Sequence, residues 1–258
     1  MKFSVTVGAA GLGRDPRGLA ELARVVEGSG WDGLFLEDYL VYQGDASLPT
    51  YDPWVCLAAI ATATERIRIG TTVTPLPRRH PWKVAAEVVA LDQLSDGRMI
   101  LGVGSGDPGD PFMERRSARV LAEMLDEGLE VIERLWSGEA VSFSGKYYTL
   151  DNVRLAARAV QRPRVPIWVG GNMLVPAVRR RVWRWGGSCA YKGNTGAPQE
   201  VTPDDVRRLR AGREIEVKVS GGDPAAFAAA GAAWWGRWIA PGPVADTLGI
   251  VRQGPPAL

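Results

Sequence analysis

Residues 98–107 read RMILGVGSGD, and no other stretch limits the choice of fold so tightly. Met99, Ile100, Leu101 and Val103 form an apolar run of strand length without alternation, the pattern of a parallel strand covered on both faces. Gly102, Gly104 and Gly106, followed by Asp107-Pro108, open the strand into a loop where backbone can approach a flat ligand closely. Helical patterns lie on either side of it. The expectation is an α/β chain with a site at the carboxyl end of this strand.

The same strand-then-helix unit recurs along the chain. Residues 2–8 alternate Phe3, Val5 and Val7 against polar positions, and Asp15-Pro16 then supplies a cap and a first-turn proline. Residues 33–38, GLFLED, read as a second buried strand ending in two carboxylates, and Asp52-Pro53 repeats the helix start. Residues 67–75, IRIGTTVTP, are the third strand, and Pro81 opens the next helix. After the fourth strand, residues 116–136 carry one continuous apolar stripe from Val120 to Leu135. Residues 140–150 alternate on each side of Ser144-Gly145 and predict a β-hairpin excursion after the fourth helix. IWVGG at 167–171, then residues 188–191, 214–220 and 232–235, supply four more strands, each with a helical segment behind it. The helix at 202–204 is opened by Thr-Pro-Asp, that at 223–224 by Asp-Pro, and a weak final helix covers 243–251. Eight such units favour a closed (β/α)8 TIM barrel over a doubly wound sheet, and 258 residues fit the ~250 typical of one barrel. A single domain over residues 1–258 is expected.

Composition removes several classes of function. A formal charge of +2 implies neither nucleic acid nor membrane as partner, and Arg179, Arg180, Arg181 and Arg184 sit at helical spacing as a solvated face. Cys56 and Cys189 lie in apolar stretches and read as buried thiols of a reducing cytoplasm rather than a disulfide framework. The single histidine, His80, leaves no metal cluster of the usual kind. No signal-peptide pattern or bilayer-length apolar run is present, so a cytoplasmic location is expected. GVGSGD lacks the G-x-G-x-x-G spacing of a dinucleotide fingerprint.

In a barrel, functional groups gather at the carboxyl ends of the strands. That rule selects Glu37-Asp38-Tyr39, Thr72-Val73-Thr74, Arg78-Arg79-His80 and Ser105-Gly106-Asp107. It also selects Gly170-Gly171-Asn172, Lys192 and Ser220-Gly221-Gly222.

IRIGTTVTPLPRRHPW, RMILGVGSGDP, VSFSGKYYTL, PRVPIWVGG and the late AAWW together resemble the bacterial luciferase-like oxidoreductases, in that family's order and over nearly the whole chain. The resemblance implies a luciferase-like barrel that uses coenzyme F420 or FMN, and it leans toward the deazaflavin branch. It places a non-proline cis peptide at Thr72-Val73, propping the back of the ring system, with Thr74, Gly104, Ser105 and Gly106 beside it. Asp38 matches an acid near the reactive edge of the ring, and Asp107 matches an acid after the strand-4 glycines, a proton donor or substrate ligand. Gly170, Gly171 and Asn172 match a turn whose backbone amides hold the cofactor phosphate. Arg78, Arg79, His80 and Lys192 are expected as substrate or anion contacts.

The chain departs from the resemblance at Tyr39, where F420-dependent dehydrogenases usually carry histidine after the strand-2 Asp. A tyrosine of ordinary pKa, about 10, donates a hydrogen bond more readily than it accepts a proton. Catalysis by Asp38, Tyr39 and Asp107 then favours reduction of a carbonyl or activated double bond of a small-molecule substrate. FMN-dependent monooxygenation within the same family is the alternative, and a catalytically silent flavin-binding barrel is the alternative of another class. A homodimer is implied by the resemblance alone.

Overall fold

A computed structural model describes residues 1–106, 110–113, 116–189, 191–194 and 197–258. Eight parallel strands close into a ring. In chain order they are β1 (Lys2–Gly8), β2 (Gly33–Glu37), β3 (Arg68–Thr71, resuming at Thr74–Pro75), β4 (Met99–Gly104), β5 (Ile167–Val169), β6 (Gly187–Ser188), β7 (Glu216–Ser220) and β8 (Trp234–Ile239). Each pairs with the next, and β8 returns to β1 through Lys2↔Trp234 to Val7↔Ile239. A helix follows every strand: α1 (Pro16–Gly28), α2 (Pro53–Ala63), α3 (Pro81–Leu94), α4 (Ala118–Trp136), α5 (Pro176–Trp185), α6 (Pro203–Arg210), α7 (Pro224–Ala229) and α8 (Val244–Val251). The fold is a (β/α)8 barrel, as the strand count implied.

Local chemistry sets the helix starts. Asp15 accepts from the amides of Arg17 and Gly18, Asp52 from those of Trp54 and Val55, and Asp223 from those of Ala225 and Ala226. Each is followed by a proline that has no amide to satisfy, and each cap contributes roughly 0.5–2 kcal/mol. Thr202 and Asp205 form a reciprocal capping box on α6.

The sheet has two cores. Outward residues such as Val5, Leu36, Ile69, Leu101 and Val169 pack against the helices. Inward, Phe35, Ile100, Trp168 and Trp234 form a separate aromatic cluster, with ring centroids 5.0 Å apart for Phe35–Trp168 and 5.5 Å for Trp168–Trp234. This cluster fills the barrel beneath the carboxyl ends.

Three elements differ from the sequence reading. The sixth strand is Gly187–Ser188 rather than 188–191; Tyr191 makes only an isolated bridge to Asn172. Lys192 does not end that strand but begins an antiparallel hairpin of Lys192–Asn194 with Ala197–Gln199. The last strand starts at Trp234 and runs to Ile239, because each residue from Trp234 onward pairs with β1. The excursion after α4 is a hairpin of Val141–Ser144 with Thr149–Val153.

Candidate active site

The site is organised by an irregularity between β3 and β4. Gly70 lies opposite Ile100 and Thr74 opposite Val103, so β3 advances four residues where β4 advances three. The extra residue is a bulge, which re-aims side chains at the end of a strand. The Thr72-Val73 peptide bond within it is cis. Val73 sits where side chains on two neighbouring strand ends would be: a Cβ at Gly104 would lie 2.9 Å from its Cγ2, and one at Gly170 would lie 2.7 Å from its Cγ1. Thr72 Oγ1 is buried without a hydrogen-bond partner among the described residues, and so is Thr6 Oγ1 inside the barrel. The result is an apolar seat with the Thr72 hydroxyl next to it in the chain.

Asp38 follows β2 and is fully buried at its side chain. Its Oδ1 accepts from Arg78 Nη2 at 2.5 Å and Arg79 Nη2 at 3.1 Å. Its Oδ2 accepts from Thr74 Oγ1 at 2.9 Å, Trp54 Nε1 at 3.1 Å and Arg79 Nε at 3.2 Å. Arg78 also donates to Asp110 at 2.7 Å, and Arg79 lies over the Trp54 ring. Five donors use the lone pairs a carboxylate offers. Asp38 therefore clamps the loop after β3 to β2 and to α2.

The remaining residues singled out by sequence scatter around this clamp. Tyr39 is half-buried and packs against Tyr42 with the rings tilted by 57° and their centroids 4.8 Å apart. His80 occupies the N-cap position of α3 without a side-chain capping bond and stacks on Trp82, with 11° between the rings. Ser105 and Gly106 continue from β4, Gly106 with φ +78°. The Gly170 amide donates to the Val103 carbonyl at 2.7 Å, so the sheet already uses it. Gly171 turns the chain with φ +133°, and Asn172 Oδ1 accepts from the Leu174 amide at 3.0 Å ahead of α5. Lys192 Nζ lies 2.9 Å from Asp205, within the capping box of α6. Asp107 lies outside the described residues.

Sequence reasoning placed Glu37 at the mouth without giving it a role, and it missed the buried Lys218 and Arg14 that share its surroundings. Glu37, two residues beyond Phe35 on the inward face of β2, accepts from Tyr42 Oη at 2.8 Å. Burial pushes its carboxyl above the ordinary glutamate range, against the lowering effects of hydrogen bonds from Tyr42 and Trp238 and the charges of Lys218 and Arg14. Burial likewise raises Tyr42, which also feels Glu37. Lys218 on β7 is 6% exposed and lies 5.9 Å from the Phe35 ring centroid; burial lowers its pKa, opposed by Cys189 and Glu37. Burial also pushes the Cys189 thiol up to about 12. Arg14 is completely buried and donates to the Gly8 and Ala240 carbonyls and to Thr247 Oγ1. The signal for Lys218 was present: in EVKVS the polar residues alternate with valines. In a barrel the helices cover the apolar side, so the polar side faces inward.

The luciferase-like monooxygenase family matches residues 1–235. The chain is 34% identical over 168 residues to an F420-dependent glucose-6-phosphate dehydrogenase of Nakamurella multipartita, covering 61% of this chain and 47% of that one. It is 32% identical over 157 residues to an F420-dependent hydroxymycolic acid dehydrogenase of Mycobacterium tuberculosis, covering 58% and 42%. The chain thus spans about half the length of the curated relatives it matches. Among solved structures, an F420-dependent secondary alcohol dehydrogenase in complex with an F420-acetone adduct superposes with a TM-score of 0.79 at 17% identity, over 99% of this chain and 98% of that one. The monooxygenase RslO1 of Streptomyces bottropensis superposes with a TM-score of 0.63 at 26% identity, over 90% and 67%.

Proposed function

From the premise that the chain belongs to the luciferase-like monooxygenase family, we propose that it is an oxidoreductase transferring a hydride between coenzyme F420 and a small organic substrate. The observation that carries this reading is the apolar seat formed by Val73 on Gly104 and Gly170, edged by the Thr72 hydroxyl, which has no partner among the described residues. It suits the back of a flat tricyclic ring, and the relatives named above are F420-dependent by name. Bound there, the deazaflavin would supply the hydride chemistry; the chain supplies orientation and proton management. Val73 and Thr72 would hold the ring. Backbone at Ser105, Gly106, Gly171 and Asn172 would border it.

In this reading Asp38 acts by holding Arg78 and Arg79 in the wall of the mouth, and Tyr39 presents a hydrogen-bond donor beside it. Asp107 stays in the reading as a proton donor or substrate ligand, on the strength of the sequence. Asp107→Asn is expected to lower turnover far more than cofactor affinity, whereas equal losses would make it a binding residue. A homodimer belongs to the same reading, and light scattering on the purified chain checks it.

FMN-dependent monooxygenation is the second reading; the likeness to the monooxygenase RslO1 supports the monooxygenation. Fluorescence titration of the purified chain with F420 and, separately, FMN distinguishes them. Micromolar or tighter binding of F420 alone is the expected outcome. Preferential binding of FMN would shift the assignment to the monooxygenase, and binding of neither would remove both.

A further inference from the structure

We propose that Glu37 is the side chain that exchanges a proton with a carbonyl substrate in the barrel mouth, with Tyr42 and Lys218 as its positioning residues. The proposal rests on the F420 reading above and adds a residue that the family resemblance did not supply.

Leu34 and Leu36 pack outward against the helices, so Phe35 and Glu37 share the inward face. Phe35 belongs to the aromatic cluster that fills the barrel, and Glu37 comes one step nearer the mouth. It is half-buried, unlike the fully buried residues that precede it on the strand. Asp38 beside it faces the other way and is held by five donors. A proton on Asp38 would break the clamp that fixes Arg78 and Arg79. Glu37 holds no ion pair of that kind and accepts from Tyr42 and Trp238 alone among the described residues.

The groups facing Glu37 come from several elements. Tyr42, from the turn after β2, donates to Oε2 at 2.8 Å and is itself packed by Tyr39. Trp238 from β8 hydrogen-bonds the carboxyl, Arg14 approaches from the loop before α1, and Lys218 approaches from β7, with Cys189 after β6 behind it. Among the described residues the one acceptor for Lys218 Nζ is Ser220 Oγ at 3.5 Å. Gly236 on β8 leaves the space for that amine, since a Cβ there would lie 2.7 Å from Nζ. Burial favours the protonated carboxyl, and the two cations stabilise the carboxylate left after the proton departs. That balance is what a group cycling between both forms requires.

A hydride from the reduced deazaflavin forms a C–H bond at the carbonyl carbon as the C=O π bond breaks. The oxygen takes the Glu37 proton and becomes a hydroxyl. The deazaflavin is oxidised by two electrons and gives up its ring N–H proton to solvent, and Glu37 regains a proton from solvent.

Two measurements test this. The first is a ¹³C NMR pH titration of the ligand-free chain labelled at glutamate carboxyls, compared with Glu37→Gln. One carboxyl is expected to titrate above the ordinary glutamate range and to vanish in the variant; its absence overturns the proposal. The second uses reduced F420 with a panel of short aliphatic ketones and aldehydes. Glu37→Gln is expected to lower kcat by about 100-fold or more, with F420 affinity held within about twofold. Lys218→Met and Tyr42→Phe each remove an influence that lowers the carboxyl's pKa, so the alkaline limb of kcat/KM should move to higher pH. An unchanged kcat in Glu37→Gln, a matching loss of F420 binding, or the whole effect appearing in Asp107→Asn instead would overturn the assignment. If the wild-type chain neither binds F420 nor oxidises it with any carbonyl, the cofactor reading falls and takes this reaction with it. The NMR titration still reports separately whether Glu37 holds a proton.

Discussion

Replacing Asp38 by asparagine would leave the Arg78 and Arg79 guanidinium groups facing a neutral amide in a site where Arg78 is only 5% exposed at its side chain. Removing one partner of a buried ion pair typically costs about 3–5 kcal/mol, because the other charge stays desolvated. Asp38→Asn should therefore lower the urea midpoint markedly, and an unchanged midpoint would show that the clamp does not support the fold. Glu37 makes the opposite kind of prediction. A carboxyl whose pKa is raised on folding contributes stability that is fully present below its unfolded value, about 4.3, and loses it as pH rises through the folded value. Glu37→Gln lacks that loss, so wild-type stability should fall relative to the variant as pH increases. Denaturant unfolding at a series of pH values checks this, and parallel curves would contradict it. Neither role was legible in GLFLED, where the two carboxylates look alike. Which one turns inward follows from strand pairing, and the partners lie on other elements.

At the level of elements, carboxylates hold loops by gathering backbone amides. Glu127 on α4 accepts from the amides of Lys146, Tyr147 and Tyr148, pinning the turn of the first hairpin. A Cβ at Gly145 would sit 1.9 Å from Glu127 Oε1, which is the physical reason for a glycine in SGKYY. Glu27 does the same for the amides of Glu65, Arg66 and Ile67 at the entry to β3. Glu127→Ala is expected to free amides worth roughly 1–3 kcal/mol if left unsatisfied. Hydrogen exchange should accelerate across residues 145–148 while the barrel strands keep their protection; equal acceleration in β1 and β4 would refute a local role. Helix starts were legible because Asp-Pro carries its cap and its backbone constraint within two residues. The sixth strand was not, since two residues carry no period, and neither was the Lys192 hairpin.

For the whole molecule, the strand count and the strand-helix alternation were enough to give the barrel. The filling of its interior was harder to read, because a tryptophan on a strand can face either core. Trp168 faces inward, 1% exposed, with Nε1 donating to Glu216 at 3.0 Å. Trp168→Ala should cost about 3–5 kcal/mol through the cavity it leaves, measured by denaturant unfolding; a cost below about 1 kcal/mol would mean the cluster collapses to fill the space.

The aromatic cluster also bears on the timing of events at the site. With Phe35, Ile100, Trp168 and Trp234 filling the bore, the ring of strands is closed beneath its carboxyl ends, which leaves the mouth as the doorway among the described residues. On the F420 reading proposed above, cofactor and substrate would both have to pass through it. Whichever is seated against the bulge arrives first and departs last, so product-inhibition patterns should show an ordered sequence, with the substrate's product released before the deeper guest.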